Sequence, residues 1–508
     1  MGNKTMNQKS RTQNVMLNIV FGYVAQVGIF VLSFIGRRIF LNYLSPDYLG
    51  INGLYSNILT LLSLAELGLD TAVVYSLYKP VADNDTILIR SLLRFYKKVY
   101  FGLAGVILII GLALIPFLGN IVKSTLDGHE LVIYYIVFLG NTVASYFVAH
   151  KSALLSACQE QRVQKMVSLS ATFLLQIVYI IVLIVTHSYM AYVISMFCVT
   201  IISNWILSIT CSRIHTEIFA EKEIVTFEKK PIIERVISTF LYKMGAVLVN
   251  STDNILISVL VNTTAVGFYS NYYTVINAVQ GFIAILTTSL VSSIGNYAAT
   301  NKKNRQKGLF FLLLLFYHTI AAIGLIGFSL LLNDVITIWL GSQYLFDTRT
   351  VFVISFNFYI STAISPVWMF REANGLFNKV KYILLIRALI NIVLSILWGR
   401  LYGVCGIFMA TAVSLLVTNF WYEPQILFKE VMNEKTIIYW VKQIKYFMTT
   451  MVAYTISYFI VSQCKGGILF LILKILIIFT VTVCLFFVTN LHTIEVKKGV
   501  EIIKGKFR

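Results

Sequence analysis

Apolar residues fall in long blocks along nearly the whole chain, and each block is long enough to cross a hydrocarbon core of roughly 30 Å as a helix of about 20 residues. About fourteen such blocks stand out, near residues 14–44, 48–72, 97–118, 131–150, 166–186, 189–211, 239–261, 268–296, 309–332, 349–370, 381–399, 403–422, 444–463 and 466–489. They lack the period-two alternation of a transmembrane β-barrel strand. The first block is too long for a signal-peptide core and has no small-residue cleavage site, so it is expected to be retained as a helix. The pattern predicts an all-α, polytopic membrane protein with about 14 transmembrane helices.

Composition supports this class. Of 508 residues, 58% are apolar and 12% charged, against roughly 45–50% and 25% in soluble domains. The formal net charge of +19 would suggest a nucleic-acid partner in a soluble protein, but its distribution points elsewhere. With the amino terminus placed inside, about 33 of the 41 Lys and Arg fall on inner connections or tails, leaving few outside: Arg37, Arg38, Lys123, Arg349, Arg400 and Lys465. This is the positive-inside bias of a cytoplasmic membrane protein with both termini cytoplasmic, and no nucleic acid is implied. The outer connections, the longest near 119–130 and 333–348, leave no room for an extracytoplasmic domain, so the chemistry is expected within the membrane. The six cysteines have no CxxC or metal-ligand spacing and read as small core residues.

The longest inner connection, 213–238, is highly charged and divides the blocks into a lobe over 1–212 and a second over 239–428; residues 429–508 add two helices and a basic tail. An amphipathic helix on the membrane surface is expected in this linker. The halves echo each other. Gly53-Leu54-Tyr55-Ser56-Asn57 returns as Gly267-Phe268-Tyr269-Ser270-Asn271, an offset of 214, and Ala157 and Lys165 return as Ala373 and Lys381. An even number of helices per copy sets the pseudo-twofold axis along the membrane normal, and two six-helix lobes would enclose a central cavity. At nearly the same offset Arg38 corresponds to Asp253.

Ionisable residues within a span are costly and mark candidate sites. Asp253, in Asn250-Ser251-Thr252-Asp253-Asn254, is the most deeply placed acid: it either binds a proton or sodium ion, or is fixed by hydrogen bonds or an Arg partner. Glu66 lies towards the inner end of helix 2 and suits a capping or gate-closing contact. Arg37 and Arg38 either offer guanidinium forks to phosphate oxygens or snorkel to the outer interface from a helix ending at Gly36; the continuation Ile39-Phe40-Leu41 favours a helix that goes on. Arg387 has no such escape and is expected to meet substrate phosphate or Asp253. Lys474 is expected to mark a lipid or partner groove, and His318 to be a satisfied intramembrane histidine. Most tyrosines read as interfacial belt or packing, and Tyr55, Asn57, Tyr269 and Asn271 of the repeated motif are candidates for sugar contact. No P-loop, HExxH or nucleophile elbow is present, which leaves no support for ATP hydrolysis or the common hydrolases.

The stretch from Arg37 through Tyr100, with Leu49-Gly50-Ile51-Asn52-Gly53-Leu54-Tyr55, Ala65-Glu66-Leu67-Gly68-Leu69 and Leu77-Tyr78-Lys79-Pro80, resembles the Wzx-type flippases of lipid-linked oligosaccharides. So does Thr252-Asp253-Asn254 followed by Val266-Gly267-Phe268-Tyr269-Ser270. These belong to the multidrug/oligosaccharidyl-lipid/polysaccharide exporter superfamily. The resemblance implies fourteen helices in two lobes and transfer of an undecaprenyl-pyrophosphate-linked repeat unit to the outer leaflet by alternating access. It also implies arginines for the pyrophosphate and, as in some lipid II flippases, sodium or proton coupling at a helix 7 carboxylate. Asp253 matches that carboxylate, with Asn391 and Thr411 as further oxygens, although a second acid on helix 11 is absent and Arg387 lies one turn before Asn391.

The expected function is therefore a flippase for a prenyl-pyrophosphate oligosaccharide in capsule, exopolysaccharide or O-antigen assembly. It is expected to act among membrane lipids beside a polysaccharide polymerase and glycosyltransferases, with no resident cofactor. A multidrug/cation antiporter is the alternative within transporters, and the cavity arginines oppose it. A polytopic glycan polymerase or glycosyltransferase is the alternative of another class, and the short outer loops oppose that.

Overall fold

The computed structural model describes residues 11–491 other than 67–68, 300–302 and 465–466, together with residue 493. Every regular element among them is helical. The first half comprises α1 Arg11–Tyr43, α2 Pro46–Leu62, α3 Leu69–Ala82, α4 Thr86–Ala113, α5 Leu118–Ile121, α6 Gly128–Ser145, α7 Ala149–Ala157, α8 Gln161–Thr186, α9 Tyr189–Ile214 and α10 Thr216–Ala220. There follow α11 Lys230–Leu260, α12 Thr263–Ala299, α13 Lys303–Trp339, α14 Thr348–Ala363, α15 Ser365–Ala373, α16 Phe377–Val417, α17 Asn419–Leu427, α18 Ile437–Ser462 and α19 Ile468–Asn490.

Ten stretches among the described residues are long and apolar enough to cross a membrane, so the chain is a multi-pass membrane protein. One of them, Lys379–Met432, takes in two of the apolar blocks of the sequence. The block over 48–72 is not a single helix: α2 stops at Leu62 and tightens into a 3-10 turn over Ser63–Glu66 before α3 begins. The block over 239–261 contributes only the shorter apolar stretch Val247–Leu260. Apolar block counting thus gives about fourteen crossings, and helix length with composition gives ten.

The linker departs from expectation. It carries only the five-residue α10 and then runs without regular structure until α11 begins at Lys230, well inside the expected connection. It is nevertheless pinned to α4: Val225 N donates to Ser91 Oγ (3.0 Å), and the Phe227 ring meets Phe95 edge-on. The basic tail beyond Lys497, with Lys4 and Lys9 at the other end, lies outside the described residues.

The chain divides into two compact units. One comprises Leu32–Asn271 with Asn378–Ser414; the other comprises Met1–Val31, Tyr272–Phe377 and Leu415–Arg508. In the first, buried tyrosines fill the core, and Tyr55 satisfies its hydroxyl by donating to Leu131 O at 2.9 Å. Its α8 turns Ile177, Ile181, Ile184 and Val185 outwards, as a lipid-facing helix should. In the second, Phe310 meets Phe370 and Phe428 edge-to-face.

A turn inside α16 sets up the candidate site. Gly403 (φ 60°, ψ −137°) has a backbone that L side chains rarely adopt, and it folds the helix back on itself. The two arms close tightly enough that a Cβ on Gly406 would lie 2.0 Å from Trp398 O.

Candidate functional site

The folded α16 carries Arg387, Asn391 and Ser395 on one arm, spaced by four and so stacked on one face, and Thr411 on the other. Asn391 Nδ2 donates to Thr411 Oγ1 (3.0 Å), and Thr411 Oγ1 donates to Asp253 Oδ2 on α11 (3.0 Å). A one-way relay therefore ends on the carboxylate. Asp253 Oδ1, Asn254 Oδ1 and Asn391 Oδ1 are buried without a hydrogen-bond partner among the described residues. The positive charge of Arg387 acts on Asp253, so Arg387 belongs to this cluster. Arg38, the repeat counterpart of Asp253, is exposed. The expected oxygen set of Asp253, Asn391 and Thr411 is thus brought together, with a cation beside it.

No group of three or more His, Cys, Asp or Glu gathers to hold a metal among the described residues. One carboxylate with a hydroxyl and an amide oxygen is a hard, weakly charged set that fits a proton or a monovalent ion better than a transition metal. The unpartnered oxygens of Asp253 and Asn391 are acceptors of that kind.

α1 continues through Arg37 and Arg38 to Tyr43, so the helix does not end at Gly36. Arg37 Nη1 donates to Ser270 Oγ at 3.0 Å, tying α1 to α12 inside the repeated motif. Adjacent positions on a helix point about 100° apart, so the two arginines do not act as one fork.

The sugar-facing expectation fits this conformation poorly. Tyr55 and Asn271 are fully buried, with the Tyr55 hydroxyl used as above. Asn57 folds its amide back to Gly53 O (2.9 Å), and Tyr269 lies against Phe408 with ring centroids 4.5 Å apart. Tyr55 and Asn271 thus lie in the packed interior in this conformation, while Asn57 and Tyr269 are half-buried. Glu66 ends the 3-10 turn beside the buried rings of Tyr100 and Tyr146. Lys474 donates to Asp334 Oδ2 at 2.7 Å. His318 is fully buried, 3.5 Å from the Tyr359 hydroxyl.

Sequence reasoning missed two constellations. At the start of α2, buried Asp47 accepts from Thr125 Oγ1 (2.7 Å) and from Thr264 Oγ1. Around it Thr263 N donates to Lys123 O (3.0 Å), and Ser258 Oγ donates to Ile121 O (2.8 Å). The start of α2, the α5–α6 connection and the start of α12 are thereby clamped at one end of the unit. The second is Arg371, whose Nη1 lies 2.7 Å from Glu423 Oε1 with both side chains 4% exposed. Glu423, just past an apolar block, is a signal in the sequence for the second; Asp47, directly after Pro46 at a helix start, gives none.

The family model described as polysaccharide biosynthesis protein matches residues 15–295, just over half of the chain. The chain belongs to this family. The match takes in Arg37, Asp47, Glu66 and Asp253 but not Arg387, Asn391 or Thr411. No curated protein matches the sequence. Among solved structures, this polysaccharide biosynthesis family member is similar to the lipid II flippase MurJ in an inward closed conformation. The TM-score is 0.68 at 14% identity, covering 93% of this chain and 99% of that one. It is also similar to an inward-facing multidrug resistance MATE family transporter of the MOP superfamily, with a TM-score of 0.62 at 12% identity, covering 78% and 94%. The fold is that of the MOP superfamily.

Proposed function

We propose that this protein is a flippase carrying an undecaprenyl-pyrophosphate-linked oligosaccharide from the inner to the outer leaflet of the cytoplasmic membrane, for capsule, exopolysaccharide or O-antigen assembly. The observation that carries this reading is Arg37, a part-buried guanidinium on α1 of a polysaccharide biosynthesis family member, held by Ser270 across the repeat. A pyrophosphate that leaves water needs protein donors, because an unpaired anion in hydrocarbon is prohibitive. Arg37 and Arg387 supply such donors when the lobes rearrange, while the prenyl tail stays in lipid. A polymerase and glycosyltransferases would consume and supply the glycolipid.

Asp253 provides the coupling. A proton or sodium ion on its free oxygen, with Asn391 and Thr411 as neighbours, would cancel the attraction to Arg387. Arg387 is then released towards substrate, and departure of the cation draws it back.

The test is to deplete the protein and identify the glycolipid that accumulates on the inner leaflet, then measure binding of that lipid to purified protein. Arg37→Ala should weaken binding by at least about 1 kcal/mol, the scale of a charge-assisted hydrogen bond. Accumulation of no prenyl-linked glycan would overturn the reading.

A further inference from the structure

A membrane-edge cleft lies where α17 ends and α18 begins. α17 passes into a π-turn over Phe428–Met432, Asn433 reverses the chain at φ 53°, and α18 leaves from Ile437. The cleft between them has a volume of about 410 Å³ and is lined by Gln425, Lys429, Lys435, Thr436, Ile437 and Trp440. Its one acidic wall residue, Glu434, is held by Lys307 at 2.6 Å. With Lys307 offsetting Glu434, Lys429 and Lys435 leave the cleft net positive.

Its position is that of a headgroup. The stretches Lys379–Met432 and Ile437–Ser462, both long and apolar enough to cross, meet here, which puts the cleft at the water interface. Trp440 stands at its wall with Trp421 against it (ring centroids 4.2 Å apart), the placement of interfacial tryptophans. From the cleft an exposed apolar stripe runs down α18 through Ile437 (61% exposed), Val441 (58%), Ile444 (60%) and Met448 (58%). At 1.5 Å per residue this stripe is about 17 Å long, close to the half-thickness of a roughly 30 Å hydrocarbon core. A phosphate at the lysines would thus place acyl chains along the stripe through one leaflet.

We propose that this cleft is a binding site for an anionic phospholipid, its phosphate held by Lys429 and Lys435 and its chains lying on α18. The site uses none of the residues of the transport reading and stands whether or not that reading does. Basic pockets at helix junctions on the cytoplasmic side select anionic headgroups by charge, and the sequence places this junction on that side.

The test is native mass spectrometry of the full-length protein in neutral detergent, titrated with phosphatidylglycerol and, separately, phosphatidylcholine. A lysine near a membrane surface contributes about fivefold, so Lys429→Gln with Lys435→Gln should weaken the tightest phosphatidylglycerol binding by about 25-fold. Phosphatidylcholine binding should not change, and Lys429→Arg with Lys435→Arg should retain the anionic preference. Equal affinity of the unaltered protein for the two lipids would overturn the proposal, as would unchanged phosphatidylglycerol binding in the double Gln variant. Displacement of the lipid by inorganic phosphate alone would mark a soluble-anion site and overturn it equally.

Discussion

Gly50 offers a direct test of the clamp around Asp47. A Cβ at this position would lie 2.0 Å from Thr263 O and 2.8 Å from Thr263 Cγ2, where ordinary contact begins near 3.4 Å. The obstacle is mainly backbone, so Gly50→Ala can be accommodated only if α2 and α12 part by about 1.4 Å. Gly267 faces the same limit from the other side, with its Cβ 2.2 Å from Pro46 O. Overpacking of this kind costs about 1–3 kcal/mol, and the parting also lengthens the bond from Thr264 to Asp47, a hydrogen bond to a charged group worth about 1.5–3 kcal/mol. A strain of this size is enough to move a two-state equilibrium at least about fivefold away from the clamped arrangement. Lys123 and Asn262 are exposed neighbours of the Thr263 N to Lys123 O hydrogen bond, which makes them reporters. With the native cysteines replaced, Lys123→Cys and Asn262→Cys should cross-link readily through a short reagent, and adding Gly50→Ala should lower the yield at least about fivefold. Asp47→Asn should lower it less, because the shape is kept while the charge is lost. An unchanged cross-linking yield together with an unchanged melting midpoint in Gly50→Ala would refute the close approach of these two helices.

Asp253→Asn should impair turnover more than glycolipid binding in reconstituted vesicles; normal transport at every pH and sodium concentration would remove Asp253 from coupling. Thr411→Val breaks both bonds of the relay and leaves the Asn391 amide and the Asp253 carboxylate unmatched, so thermal unfolding should show a loss of about 1–3 kcal/mol. Glu423→Gln takes the buried carboxylate from Arg371 but leaves it Glu372 at 3.3 Å, so the loss should be at the low end of a broken buried pair, about 3 kcal/mol, and Arg371→Met with Glu423→Leu should recover most of it. Lys474→Met should change stability by no more than about 1 kcal/mol, since its partner Asp334 is 44% exposed.

What the sequence reveals and what it hides divide along physical lines. The helical blocks are visible because lipid-facing surface must be apolar throughout, and Asp253 is visible because a carboxylate in such a block needs a reason. Its partners Asn391 and Thr411 carry no charge, and only a resemblance pointed to them. Asp47 is invisible for another cause: Pro46-Asp47 reads as a helix start, and its donors lie 78 and 217 residues away. The repeated Gly53 and Gly267 motif marks the helices that meet, yet not that Gly50 and Gly267 permit their contact. Tyr55 misleads because a tyrosine near a helix end serves equally as a ligand platform or as a core ring, and only the hydrogen bond to Leu131 O separates the two.

The tight reversal at Gly403 bears on how the chain is made. The arms of α16 are joined with almost no polar segment between them, Arg400 being the one charge in the turn, and Leu401 and Tyr402 beside it are apolar or aromatic and 71% and 60% exposed. Two crossings with so little hydrophilic cargo can partition into the bilayer together as a preformed hairpin during synthesis. The arm bearing Asn391 and the arm bearing Thr411 would then be in register before the later helices emerge from the ribosome. An epitope inserted at the turn would burden that step with a polar loop to translocate, and its first effect would be on the yield of inserted protein.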